Sequence, residues 1–144
     1  MKKIKNYNLI LTIFFVALNG CSSLKKELIL TQNKGGYTVK VVKTNSKTNT
    51  NNLKITGKVF DLANGNTLSN AELHIGCYKI KTSSQGEYTF ETTNFNNNLF
   101  YMEAIFIGYK TIQTDFINLT NKNEIHIDFF LSEDDRPLIN CEGQ

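Results

Sequence analysis

The chain has 144 residues, 40% hydrophobic and 20% charged, with three cysteines, a length that suits one domain. Its formal charge of +3 comes from Lys2, Lys3 and Lys5, all in an N-terminal leader, and without them 13 basic residues face 13 acidic ones. A neutral chain lacks the basic face that phosphate neutralisation needs, which excludes nucleic acid as the expected partner.

The leader is the first element. Met1-Lys2-Lys3-Ile4-Lys5 is positive, and Leu9 to Leu18 is an apolar run of the length used by secretory signals. Such a run is too short to span a bilayer comfortably. It ends in Leu18-Asn19-Gly20-Cys21, which resembles the lipobox of a bacterial lipoprotein. The resemblance implies that residues 1–20 form a signal helix, that cleavage falls between Gly20 and Cys21, and that Cys21 carries the lipid. Several acyl chains on one cysteine would hold the protein stably on its membrane. Ser22 and Ser23 lack an aspartate that would suggest inner-membrane retention, and Ser22 to Glu27 lacks an acidic run for surface export. An outer-membrane, periplasm-facing anchor is therefore expected. With Cys21 set aside, Cys77 and Cys141 are left in a compartment where disulfides persist. They either pair, for about 4 kcal/mol of stabilisation in the chain-entropy model, or stay as two free thiols.

Residues 21–52 read as a lipid-anchored tether. Residues 28–43 suggest a hairpin: Leu28 and Leu30 alternate, Asn33-Lys34-Gly35-Gly36 can turn, and Tyr37, Val39 and Val41 line one return face. Thr44 to Asn52 contains no apolar residue, so it cannot offset its own ordering entropy and reads as a linker. Residues 22–58 hold eight lysines against the single Glu27, a pattern expected of a solvated stretch.

From Leu53 the hydrophobic period becomes two. Ile55, Gly57 and Val59 alternate with lysine and threonine, and Asn64-Gly65 gives the strongest turn signal. Ala71, Leu73 and Ile75 form the next alternating set, followed by Tyr78, Ile80 and Thr82, then Tyr88 and Phe90. Leu99 to Ile107 puts Tyr101, Glu103 and Ile105 on one side and Phe100, Met102, Ala104 and Phe106 on the other. Tyr109 to Phe116 continues extended, and Ile125, Ile127, Phe129 and Leu131 close the series. Seven short strands with regular turn signals predict an all-β, antiparallel β-sandwich over 53–132, before an acidic tail at 133–144.

Within that span, Ile55-Thr56-Gly57-Lys58-Val59, Ala71-Glu72-Leu73-His74-Ile75, Gly86-Glu87-Tyr88-Thr89-Phe90 and Gly108-Tyr109-Lys110 follow one another in order. The series is similar to the carboxypeptidase regulatory-like domain, a transthyretin-like or Ig-like sandwich widespread in envelope proteins of Bacteroidetes-type bacteria. Where that family commonly has aspartate after the threonine, this chain has Thr82-Ser83-Ser84-Gln85-Gly86. In peptidases such a domain rides beside a separate catalytic unit, so the resemblance does not imply an enzyme.

The residues point the same way. His74 and His126 lack the local spacing of metal-ligand motifs. Glu124, His126 and Asp128 share one strand face, opposite the apolar one and expected to be solvated. No Gly-x-Ser-x-Gly elbow or phosphate-binding glycine loop is present. Asp61 to Asn66 is out of step with a calcium loop and reads as a turn. No metal, cofactor or catalytic residue is expected. The expectation is a membrane-anchored, non-enzymatic interaction or structural module with an envelope protein as partner. The alternative is an accessory protein of an outer-membrane uptake system that captures glycan or peptide with Asn64, Phe95 and Asn97 from two asparagine-rich loops.

Overall fold

Every regular element among the described residues of the computed structural model, 27–44, 52–93, 99–120 and 122–136, is a β-strand. In chain order these are β1 (Ile29–Leu30), β2 (Gly36–Thr44), β3 (Leu53–Asp61), β4 (Glu72–Ile75), β5 (Tyr78–Lys81) and β6 (Glu87–Thr92). Then come β7 (Leu99–Phe100), β8 (Met102–Ile105), β9 (Ile112–Gln113), β10 (Ile117–Asn118) and β11 (Lys122–Leu131). One sheet has the order β1-β2-β11-β3-β6, another β5-β4-β8-β9, and β7 pairs with β10 in a short ribbon.

Period-two patterning builds this arrangement. In β3, Leu53, Ile55, Gly57, Val59 and Asp61 are buried while the residues between them are partly exposed. Ile55, Val59, Ile125, Ile127 and Phe129 meet Leu73, Met102, Ala104 and Ile112 from the other sheet in one core. The result is sandwich-like, with two apolar faces turned toward each other.

The architecture differs from the expected seven antiparallel strands in four ways. The strand segments are more numerous and shorter, since the run from Leu99 breaks at Tyr101 and only Ile112–Gln113 of the next stretch is paired as a strand. One central pair, β11 with β3, is parallel, in the register Ile125↔Ile55 and Phe129↔Val59. The hairpin expected inside the tether belongs to the large sheet: β2 lies between β1 and β11, with Ile127↔Val39 and Phe129↔Tyr37. It orders because Tyr37 is buried in the core, and its hydroxyl accepts from the Asp115 N–H at 3.0 Å. Finally, the start of the expected tail is docked. Glu133 forms a bridge with Tyr109, the Lys110 N–H donates to the Ser132 carbonyl at 2.9 Å, and the Asp134 N–H to the Gly108 carbonyl at 2.8 Å.

Candidate functional site

Gly20, Cys21, Phe95, Asn97 and Cys141 lie outside the described residues. Cys77 is exposed, in the turn between β4 and β5. Asn64 is described, and its amide is already engaged. Its Nδ2 donates to Asp61 Oδ2 at 2.6 Å, and its Oδ1 accepts from the Asn66 N–H at 2.8 Å. Asp61, buried at 3% exposure, also accepts from the Ala63 N–H at 2.8 Å and from the Tyr109 hydroxyl at 3.0 Å. The Ala63 bond, followed by those from Tyr109 and Asn64, holds the Asp61 carboxyl below its ordinary value. The loop is a turn closed by its own side-chain and backbone hydrogen bonds. Asn64 itself is exposed, with one amide N–H and its oxygen engaged inside the turn.

The face expected to be solvated around His126 is more ordered than its sequence indicates. The parallel ladder between β11 and β3 skips Ile127 and Asp128. Side chains fill the gap: the Tyr88 hydroxyl donates to the Ile127 carbonyl at 2.7 Å, and the Lys58 N–H donates to Asp128 Oδ1 at 2.9 Å. Asp128 is therefore buried, at 6% exposure, rather than wet. Burial first, and Asp128 second, push the Tyr88 phenol well above its ordinary value, so it stays a donor. Gly57 permits this close approach, since a Cβ there would sit 1.6 Å from the Ile127 oxygen.

Asp128 Oδ1 also lies 2.9 Å from His126 Nε2, while His126 Nδ1 lies 3.1 Å from Thr56 Oγ1. Hydroxyl, imidazole and carboxylate thus stand in sequence, the order used by hydrolytic triads. A working triad also needs oxyanion donors near the nucleophile. Thr56 sits in β3, whose flanking strands β11 and β6 both pair at that residue. The chain of groups therefore ties two strands together. On the other sheet, His74 hydrogen-bonds Glu72 and has Glu103 at 3.7 Å from Nδ1. The His74 contact holds the Glu72 carboxyl below its ordinary value. Among the described residues, no group of three or more histidine, cysteine, aspartate or glutamate side chains is placed to hold a metal ion.

Two lysines of the lysine-rich stretch 22–58, both in β3, are also committed. Lys54 pairs with Glu91 and Lys58 with Glu87, each at 2.8 Å, across β3 and β6. These exposed pairs contribute little stability, but they neutralise lysines that could otherwise face an anionic surface.

Open grooves mark the surface of the sandwich, and two of them are the larger. One of about 510 Å³ lies beside Tyr78, Thr92 and Asn123. The other, of about 430 Å³, runs from Leu30 to Tyr101 and Phe116. Leu30 is 70% exposed, Phe116 71% and Tyr101 39%. The two rings meet edge to face, with centroids 5.8 Å apart. Gln32 and Gln113 line this groove, as does Asp115, whose carboxylate accepts from the Tyr37 hydroxyl at 3.3 Å. The sequence carried one sign of this groove: Tyr101 falls on the same strand side as Glu103, where an aromatic residue has no core to fill. Phe116 and Leu30 joined it through tertiary placement. No family model and no curated protein matches the chain, so the reading of these surfaces rests on their own geometry.

Proposed function

We propose that this protein is a lipid-anchored, non-enzymatic binding module of the cell envelope, attached through Cys21 to the outer membrane and facing the periplasm. We assign its sandwich to the transthyretin-like, carboxypeptidase regulatory-like type. Three family-pattern glycines have physical tasks here that support the assignment: Gly57 admits the Ile127 carbonyl, while Gly86 and Gly108 hold φ of +71° and +83°.

The observation that carries the functional reading is the lipobox-like Leu18 to Cys21, only eight residues before the first strand at Ile29. Eight residues reach at most about 28 Å. A lipid on Cys21 would keep the β1 edge close to the bilayer instead of on a long tether, because β2 is part of the sheet. The polar clusters that could suggest catalysis are spent on internal contacts, which favours a binding role. The groove beside Tyr101 and Phe116 favours the accessory, ligand-capturing form of that role over a purely structural one.

Expression in a didermic bacterium with radiolabelled palmitate tests the anchor. Label is expected in the wild-type chain, and Cys21→Ser should lose both the label and sedimentation with membranes. A Cys21→Ser protein that still sediments with membranes would sink the proposal.

A further inference from the structure

We propose that the groove formed by Leu30, Tyr101 and Phe116 binds a neutral oligosaccharide. Large side chains this exposed, gathered around one concave surface, are the usual mark of a contact site. The chemistry of the rim narrows the class. Among the described residues that line the groove, Asp115 alone is charged. Its carboxylate is fixed by the Tyr37 hydroxyl, and Tyr37 is itself buried. The remaining polar lining is amide and hydroxyl. Gln32 and Gln113 are both exposed and make no side-chain hydrogen bond among the described residues, so each keeps two donors and an acceptor. An anionic lipid headgroup or an anionic peptide would find no lysine or arginine among the described residues of this lining. A sugar ring matches what is present. Its C–H face can lie on an aromatic ring, and its hydroxyls can exchange hydrogen bonds with planar amides and a fixed carboxylate.

The ring geometry supports the same occupant. In an edge-to-face pair at 84°, the contact uses one of the four ring faces. Phe116, at 71% exposure, keeps ring surface open to a ligand or to solvent. The volume of about 430 Å³ suits a short segment of a chain of sugars, not a single small ion.

This proposal rests on reading the protein as a binding module and adds its ligand class. Affinity electrophoresis of the full chain in detergent tests it, with gels containing starch, laminarin, galactomannan, xylan or dextran. Retardation by at least one of these polysaccharides is expected. Phe116→Ala and Tyr101→Ala should each weaken it at least tenfold and Gln113→Ala several-fold, whereas Tyr78→Ala in the other groove should leave it unchanged. Near-ultraviolet circular dichroism of the variants, whose substituted rings are substantially exposed, checks that the fold is retained. No retardation in any gel, or retardation undiminished in both ring variants, would overturn the proposal. So would ring-dependent binding only to phosphatidylglycerol vesicles or only to an unstructured peptide. Cleavage of the polysaccharide would instead defeat the non-enzymatic reading and leave the ligand class standing. Palmitate labelling reports separately on the anchor.

Discussion

At Gly57 the closest approach in the sheet decides the residue type, because the Ile127 oxygen occupies the place of a side chain. Gly57→Ala must push one central strand off the other, and overpacking against backbone is expected to cost about 3 kcal/mol. Urea unfolding measures it through the midpoint. Tyr88→Phe tests the same gap from the other side. It keeps the ring and removes the hydroxyl that donates to the buried Ile127 carbonyl, at about 1 to 3 kcal/mol. Asp61 adds a pH dependence. Its carboxyl titrates lower in the folded protein than the unfolded value of about 3.9. Its contribution is therefore complete above that unfolded value and is lost as pH falls through the lower, folded one. A urea series from pH 6 to pH 2 should show the wild type losing stability steeply below about pH 4, and Asp61→Asn losing less over the same range. An equal slope in the two proteins would show that Asp61 does not set the acid limb.

At the level of strands, what was legible followed period two. Leu73 and Ile75, Tyr88 and Phe90, and Met102 and Ala104 are buried on the faces their alternation assigns. What was not legible depends on a partner distant in sequence. In β11, three consecutive residues, Ile127, Asp128 and Phe129, are buried, and no period reports that. The break in alternation arises where Gly57 and Tyr88 meet the strand. The groove shows the same limit, since Leu30, Tyr101 and Phe116 come from three separate segments. The hairpin of β1 and β2 was visible as a local pattern, but its place between linker and sheet was not. Because β2 supplies Tyr37 and a long antiparallel ladder to β11, a chain starting at residue 45 should not fold. One starting at residue 27 should melt cooperatively by circular dichroism. Cooperative melting of the shorter chain would return β2 to the status of a tether.

Over the whole molecule, the order of strands ties both ends of the described chain to one sheet. β11 comes last, yet it lies between β2 and β3, and all of the second sheet lies between β3 and β11 in sequence. Neither sheet can then complete a core alone: β3 lacks its parallel partner, and β2 lacks any strand except β1, until β11 arrives. Parallel and long-range pairings of this kind are slow to form. A chain released to fold only after it is complete suits export in an unfolded state, which is the route the proposed signal implies. The same topology requires that the two sheets unfold together, as small single domains usually do. Tyrosine fluorescence has reporters in both sheets, Tyr37 and Tyr88 in the large one and Tyr78 in the other, and far-ultraviolet circular dichroism follows the strands directly. The two urea transitions should superimpose, and a chain truncated after residue 121 should show neither. Two separated transitions would mean that the second sheet stands without β11, and the central position of the last strand would then have no role in cooperativity.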